Sequence, residues 1–319
     1  MDWSLSDRLP GEIFHMNCEY KRWAAKPTSA SKRSMTSPDS EFASVRPRVA
    51  LITGASAGLG AAMARALDHK GWHVIAASRS AGSDPDRAFV GTQIEPLTMD
   101  VTMESSIRGG LARLSERGLM LDLLINNAGI NVTGVVEEIS KEQGRAIMDT
   151  NFYGAVDMIR AVLPCMRERR RGTILTIGSL AALVAPPGEA YYAAGKHALE
   201  GFLESLQYEA ISFGVRICLA EPGFVRTDFA RRAANIPATC VDYDNIRAAL
   251  KQRWIAAIDA GMPVHDMADR IVNWAVNGRG FRKRFGLDAL WAPIAKQLLP
   301  EAVFFWIARR KFGIGEEPL

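Results

Sequence analysis

From Arg48 onward the chain alternates between two kinds of text, and this alternation constrains the fold more than any other feature. Short apolar runs recur: "VALIT" (49–53), "HVIAASR" (73–79), "IEPLTMDV" (94–101), "LDLLINNAG" (121–129), "GTILTIGS" (172–179) and "VRICLAEPG" (215–223). Between them lie segments of helical period. "GLGAAMARALDHKG" (58–71) ends on Gly71, a residue suited to a helix C-cap; others span roughly 103–117, 140–170 and 189–213. Ser140 and Gln143 make a capping box at the start of the third of these, and Gly214 closes the fourth. Near-continuous apolar strands are buried on both faces, and parallel strands need helical crossovers between them. The expected fold class is therefore α/β: one doubly wound parallel sheet of about seven strands with helices on both faces. The pattern runs from 48 to 286 without a linker-like break, which predicts a single domain there.

The flanks read differently. Residues 1–47 include "KPTSASKRSMTSPDSEFASVRP", rich in Ser, Pro and charge with no apolar period, which predicts a disordered arm; Met35 is a candidate start of translation. Of the 319 residues, 48% are hydrophobic and 23% charged, so a sizeable core is expected. A net charge of +4 gives no argument for a nucleic-acid partner. Cys18, Cys165, Cys218 and Cys240 are far apart and no histidines cluster, which argues against a metal site or a disulfide framework and fits a reducing compartment. No apolar run approaches the ~18 residues of a membrane span, and the N-terminus does not read as a secretory signal. A cytoplasmic location, peripheral to a membrane at most, is expected. Residues 287–319 form an apolar and basic extension, "LDALWAPIAKQLLPEAVFFWIARRKF" at 287–312, preceded by Arg279, Arg282, Lys283 and Arg284. Three readings stay open for it: a helix lying on an anionic membrane surface, a helix packed on the body, or a subunit interface.

"TGASAGLG" (53–60) joins the first strand to the first helix. Gly54, Gly58 and Gly60 permit a tight turn and the close approach of a pyrophosphate, and the helix beyond offers free N–H groups and the positive end of its dipole. A flexible turn fits the glycines alone. A strand before, a helix after and a second strand about 20 residues on favour a dinucleotide site of the Rossmann kind. That second strand ends in Ser78 and Arg79, where a carboxylate would bind ribose hydroxyls. A guanidinium suits a 2′-phosphate, so NADP(H) is favoured over NAD(H), unless Arg79 is merely solvated.

"EAYYAAGK" (189–196) sets two tyrosines ahead of one lysine. At about 100° per residue, Tyr192 and Lys196 share a helix face, whereas Tyr191 points elsewhere and is expected to pack. An ammonium beside a phenol favours the phenolate and would lower the tyrosine pKa from its ordinary value near 10. The same spacing also fits an ordinary amphipathic helix. Ser179, at a strand end thirteen residues before Tyr192, adds a hydroxyl where open parallel sheets bind ligands.

Taken together, these motifs resemble the classical short-chain dehydrogenases/reductases over about residues 48–286: "TGASAGLG", "NNAG" (126–129), "YAAGK" (192–196) and "EPGFVRT" (221–227) occur in the family's order. The resemblance implies Tyr192 as general acid/base, and Lys196 as the group that tunes Tyr192 and binds the nicotinamide ribose. Ser179 would orient the substrate oxygen, and the backbone of Asn151 would hold a proton-relay water. It implies Asp100 at the adenine and Asn127 near the adenosine ribose, with Val101, Ala128 and Gly129 as further cofactor-binding residues. Thr227 and the loop at Pro222 and Gly223 would lie at the carboxamide, with Val225 also binding cofactor and Ser56 and Leu59 in the phosphate loop. Two positions depart from the pattern: Ala57 stands where NADP-dependent members often carry a basic residue, and Gly195 replaces a frequent serine.

The expected activity is hydride transfer between NAD(P) and a secondary alcohol, ketone or aldehyde. The alternative is a non-catalytic NADP-sensing protein, which retention of both Tyr192 and Lys196 disfavours. The substrate-covering segment is expected at 224–262, with Phe224, Phe229, Ile236, Tyr243, Ile246, Leu250, Trp254 and Ile258 as apolar candidates for the pocket or for core packing. Leu180, Leu183 and Val184 add to them, and His265 reads as structural or surface. The tail suggests a lipophilic substrate by analogy with hydroxysteroid and retinol dehydrogenases. The long helices suggest a homodimer or homotetramer.

Overall fold

A computed structural model describes residues 46–80, 89, 92–229 and 238–315. Seven strands form one sheet: β1 (Val49–Thr53), β2 (His73–Ser78), β3 (Glu95–Thr98), β4 (Leu121–Asn126), β5 (Gly172–Ile177), β6 (Val215–Pro222) and, at its far edge, Arg282–Phe285. Their order is β3-β2-β1-β4-β5-β6 followed by the edge strand, and every pairing is parallel. The chain winds outward from β1 in one direction, then restarts at β4 and winds the other way. Ligands of such sheets bind where the order reverses, at the carboxyl ends of the strands.

Alternate residues of each strand feed opposite cores. Val49 and Leu51 of β1 enter one apolar cluster, Ala50 and Ile52 the other. In β6, Val215, Ile217 and Leu219 face one side while Cys218 and Ala220 face the other. This two-sided burial explains the unbroken apolar runs. Helices α1 (Gly58–Asp68) and α7 (Val264–Asn277) cover one face. The other is covered by α2 (Glu104–Glu116), α4 (Gly154–Glu168) and α5 (Ala190–Ile211). Here α6 denotes Asp244–Asp259 and α3 denotes Lys141–Met148.

Several elements differ from the expectation. Helix α1 ends at Asp68, and Gly71 takes φ 74° in the turn beyond it. The expected helix 140–170 is α3, a π-helical turn at Asp149–Tyr153, and α4, with the Ser140–Gln143 capping box in place. The edge strand "RKRF" and helix α7 carry no apolar run of the sheet type and were not foreseen. The strand is stabilised by ion pairs: Arg282 Nε and Arg284 Nε lie 2.8 and 3.1 Å from the two oxygens of the fully buried Glu221. The tail is two helices, α8 (Leu287–Leu298) and α9 (Glu301–Phe312), divided at Leu299–Pro300; a proline cannot donate the backbone bond that would continue a helix. Of the expected arm, 1–45 lie outside the described residues. Arg46 donates to both carboxylate oxygens of Asp122 at 2.9 and 3.0 Å, which fastens the chain just ahead of β1.

Candidate active site

The crevice begins where β1 ends. Gly54 takes φ 65°, and a Cβ there would lie 2.7 Å from Ala128 Cα; one on Gly60 would run into the Gly54 carbonyl oxygen. Only glycine permits this approach of loop to strand. Thr53 Oγ accepts from the N–H groups of Asn127 and Ala128, both at 3.1 Å. Asn127 Nδ2 donates back to the carbonyls of Thr53 and Gly54, at 3.0 and 3.1 Å. These bonds lace the carboxyl ends of β1 and β4 together. Asn127 is thus a brace for the loop as well as part of the wall, and Thr53 is a structural member of the motif that the candidate residues omitted. Ala57 stands at the N-cap of α1 and provides no side-chain bond to its first turn, so that turn's N–H groups keep their capacity for an anion. A glycine cradle, an uncapped helix start and Arg79 at the end of β2 together fit a dinucleotide phosphate.

The crevice measures about 1330 Å³. Every candidate cofactor residue from Gly54 to Thr227 lines it, Arg79 and Asp100 included, and so does Ser179. Asn151 does not; its neighbour Thr150 does. Asn151 is buried in the π-helical turn, its side chain clamped to Ile130 by a bond from Ile130 N at 2.8 Å and one to Ile130 O at 2.9 Å. The clamp consumes the amide, so what Asn151 offers the site is the geometry of its irregular backbone.

Ser179 follows β5, and Tyr192 and Lys196 lie on one face of α5. Lys196 is buried; its Nζ donates to the Ile177 carbonyl at 2.7 Å and sits 5.6 Å from the centre of the Tyr192 ring. Tyr191 instead packs over Gly144 and beside Ile147. The expected lowering of the tyrosine pKa is not what the electrostatics give. Burial dominates and pushes the Tyr192 phenol well above its ordinary value; the Glu189 charge adds to the rise and the Ser179 hydrogen bond opposes it. Lys196 is itself pulled down to about 8 by burial, with Glu200 opposing. Loss of water around the phenol disfavours its anion, which is why it keeps its proton. Glu200, one helical turn beyond Lys196, accepts from Arg282 at 2.6 Å, which joins the site to the edge strand.

The apolar end of the crevice is lined by Leu180, Val184, Phe224, Phe229, Trp254 and Ile258, together with Trp291, Leu299, Phe304, Phe305 and Phe312 from the tail helices. Phe229 lies 6.1 Å from the Tyr192 ring, centre to centre. Leu250 and Trp254 of α6 pack on Phe312, while Tyr243 turns away to bond Glu137. Leu183 is off the wall, where its carbonyl accepts from Lys296; Ile236 lies outside the described residues, and His265 is exposed. Asp288, at the start of α8, accepts from Phe224 N at 2.6 Å and so ties the tail to the loop after β6. Glu189 and Asn131 also reach the wall and were not among the candidates.

The short chain dehydrogenase family model matches residues 48–236. A 3-ketodihydrosphingosine reductase of Bacteroides thetaiotaomicron is 37% identical over 211 residues, 65% of this chain and 76% of that one. Retinol dehydrogenase 8 of Homo sapiens is 37% identical over 191 residues, 57% of this chain and 60% of the relative. A short chain dehydrogenase of Burkholderia cenocepacia, solved in complex with NADP, superposes with a TM-score of 0.64 at 27% identity, covering 81% of this chain and 95% of that one. With its reversing parallel sheet, glycine cradle and serine–tyrosine–lysine constellation, the chain belongs to the short-chain dehydrogenase/reductase family, a family of oxidoreductases.

Proposed function

We propose that this protein interconverts a lipophilic secondary alcohol and its ketone with NADP(H), Tyr192 being the general acid/base. The supporting observation is the convergence of Ser179, Tyr192 and Lys196 on a crevice whose far end is apolar and aromatic. When bound, the nicotinamide cofactor supplies or accepts the hydride. Ser179 and Tyr192 hold the substrate oxygen between two hydroxyls. Tyr192 keeps its proton in the buried site, as reduction of a carbonyl requires, and delivers it to the forming alkoxide. Lys196, fixed by the Ile177 carbonyl, binds the nicotinamide ribose. Arg79 takes the 2′-phosphate of the cofactor, and the apolar walls admit a hydrocarbon body while excluding water.

The tail helices carry the membrane reading. Leu287, Trp291 and Leu298 are 75%, 65% and 77% exposed, and Arg309, Arg310 and Lys311 close α9 with positive charge. Such a surface suits peripheral contact with an anionic bilayer from which a lipophilic substrate is drawn. No helix among the described residues is long and apolar enough to cross a membrane. Exposed Tyr153, Tyr208 and Ile211, on and beside α4 and α5, support a homodimer or homotetramer through those helices, a state that light scattering reads directly. Cofactor fluorescence with steroids, retinoids, long-chain ketones and small ketones tests the activity. Turnover confined to small polar ketones would overturn the lipophilic assignment.

A further inference from the structure

Glu189 is the N-cap residue of α5, three positions ahead of Tyr192. It is 4% exposed, yet it reaches the crevice wall. Its hydrogen-bond partner is Asn131, whose Nδ2 donates to Oε1 at 2.6 Å. Among the described residues no cation pairs with it. Asn131 lies in the loop after β4, is 7% exposed, and also lines the crevice. Its Oδ1 is buried with no hydrogen-bond partner. A carboxyl with one amide donor and no cation therefore stands at the crevice wall three positions ahead of Tyr192.

Leaving such a carboxyl unmatched is costly, because a buried carboxylate needs a cation or enough hydrogen bonds to replace its water. In the protein alone the carboxyl meets that cost by holding its proton, since burial pushes Glu189 up to about 7. An ammonium placed against it removes the cost another way. It also cancels the charge that Glu189 exerts on Tyr192.

We propose that Glu189 and Asn131 form a recognition site for a protonated amine carried by the substrate close to its reacting carbon. The ammonium pairs with the carboxylate, whose Oε1 is oriented by the Asn131 amide donor. This deepens the lipophilic-ketone reading and rests on it: the substrate class becomes an amino ketone or amino alcohol with a hydrocarbon tail.

The test compares three ketones of one chain length, a 2-aminoalkan-3-one, its 2-hydroxy analogue and the plain alkan-3-one, with wild type and Glu189→Gln. In wild type kcat/KM is expected to favour the amino ketone over the plain one by about tenfold or more; in Glu189→Gln the ratio falls to near unity. A ratio already near unity in wild type, or unmoved by the substitution, overturns the proposal. Equal preference for the hydroxy ketone also overturns it, in favour of a neutral donor site.

Calorimetric titration of the saturated 2-aminoalkan-3-ol into the protein–NADP+ complex at pH 6, in buffers of different ionisation enthalpy, reads the site without turnover. Binding should release about one proton in wild type and none in Glu189→Gln. Tyr192 is the titratable neighbour, and burial keeps it protonated at that pH. Proton release without turnover of any ketone would leave the amine site standing and sink the catalytic reading. Turnover of the plain ketone without amine preference or proton release would do the reverse.

Discussion

The two ends of the crevice are built on different principles. The nucleotide end is made of backbone: a glycine loop, a helix start and two strand ends, laced by Thr53 and Asn127 over short distances. The apolar end is made of side chains from remote parts of the chain, with Trp254 edge-on to Phe224 and tilted against Phe312 at centroid distances of 5.6 and 5.5 Å. The first kind tolerates almost no added atom. The second tolerates volume changes at a graded cost. Within one fold the glycine-loop end is thus narrowly specified, while the apolar end is free to differ.

That contrast can be broken or sharpened experimentally. The largest effect is expected at the junction of the two ends. Tyr192→Phe should cut turnover by about 10³-fold or more while leaving the dissociation constant for NADPH nearly unchanged. Rapid-mixing turnover with parallel fluorescence titration checks both, and near-normal turnover would void the role assigned to the phenol.

Glu189 offers a pH signature in stability. Its folded pKa, about 7, lies above the ordinary 4.5, so the folded state binds the extra proton between those values and loses stability as pH rises through that window. Glu189→Gln should therefore become more stable than wild type above pH 7 by up to about 3 kcal/mol relative to their difference at pH 4.5. Thermal unfolding at the two pH values tests this, and parallel curves would contradict the burial of an unpaired carboxyl.

At the nucleotide end, the Cβ of Gly60→Ala would meet the Gly54 carbonyl and the Asn127 amide that braces it; cofactor affinity should fall about 10²-fold by the same titration. Arg79→Ala should lower the NADP/NAD ratio of kcat/KM by about tenfold, the loss of one charge-assisted phosphate contact. An unchanged ratio would return Arg79 to the solvent. The smallest effect belongs to the outer rim. Trp291→Ser should reduce co-flotation with anionic liposomes a few-fold, as expected for one exposed ring, and leave cofactor binding as it was.

How legible each part was in the sequence follows from the same contrast. Helix-sharing of Tyr192 and Lys196, the packing role of Tyr191 and the capping box at Ser140 are consequences of spacing along one element, and local periodicity exposes them. The strand Arg282–Phe285 was invisible because its stability comes from Glu221, some sixty residues earlier, pairing with two of its arginines. The direction of the Tyr192 shift escapes the sequence for a related reason: proximity of an ammonium is visible in spacing, but desolvation depends on everything that packs around the phenol. Glu189 stands beside the two tyrosines in sequence, yet only its burial without a cation makes it notable.

The amino-acid order by itself determined the alternation of strands and helices, the glycine loop that admits a phosphate and the helical face that pairs phenol with amine, because each is set by backbone sterics and by periods of two or 3.6 residues. The tertiary structure alone decided which carboxyls lose their water, that Asn151 spends its amide on Ile130, and that two tail helices wall the apolar end of the crevice. Those outcomes depend on long-range packing, where solvation is removed by residues far away in the chain and no local pattern encodes the neighbour.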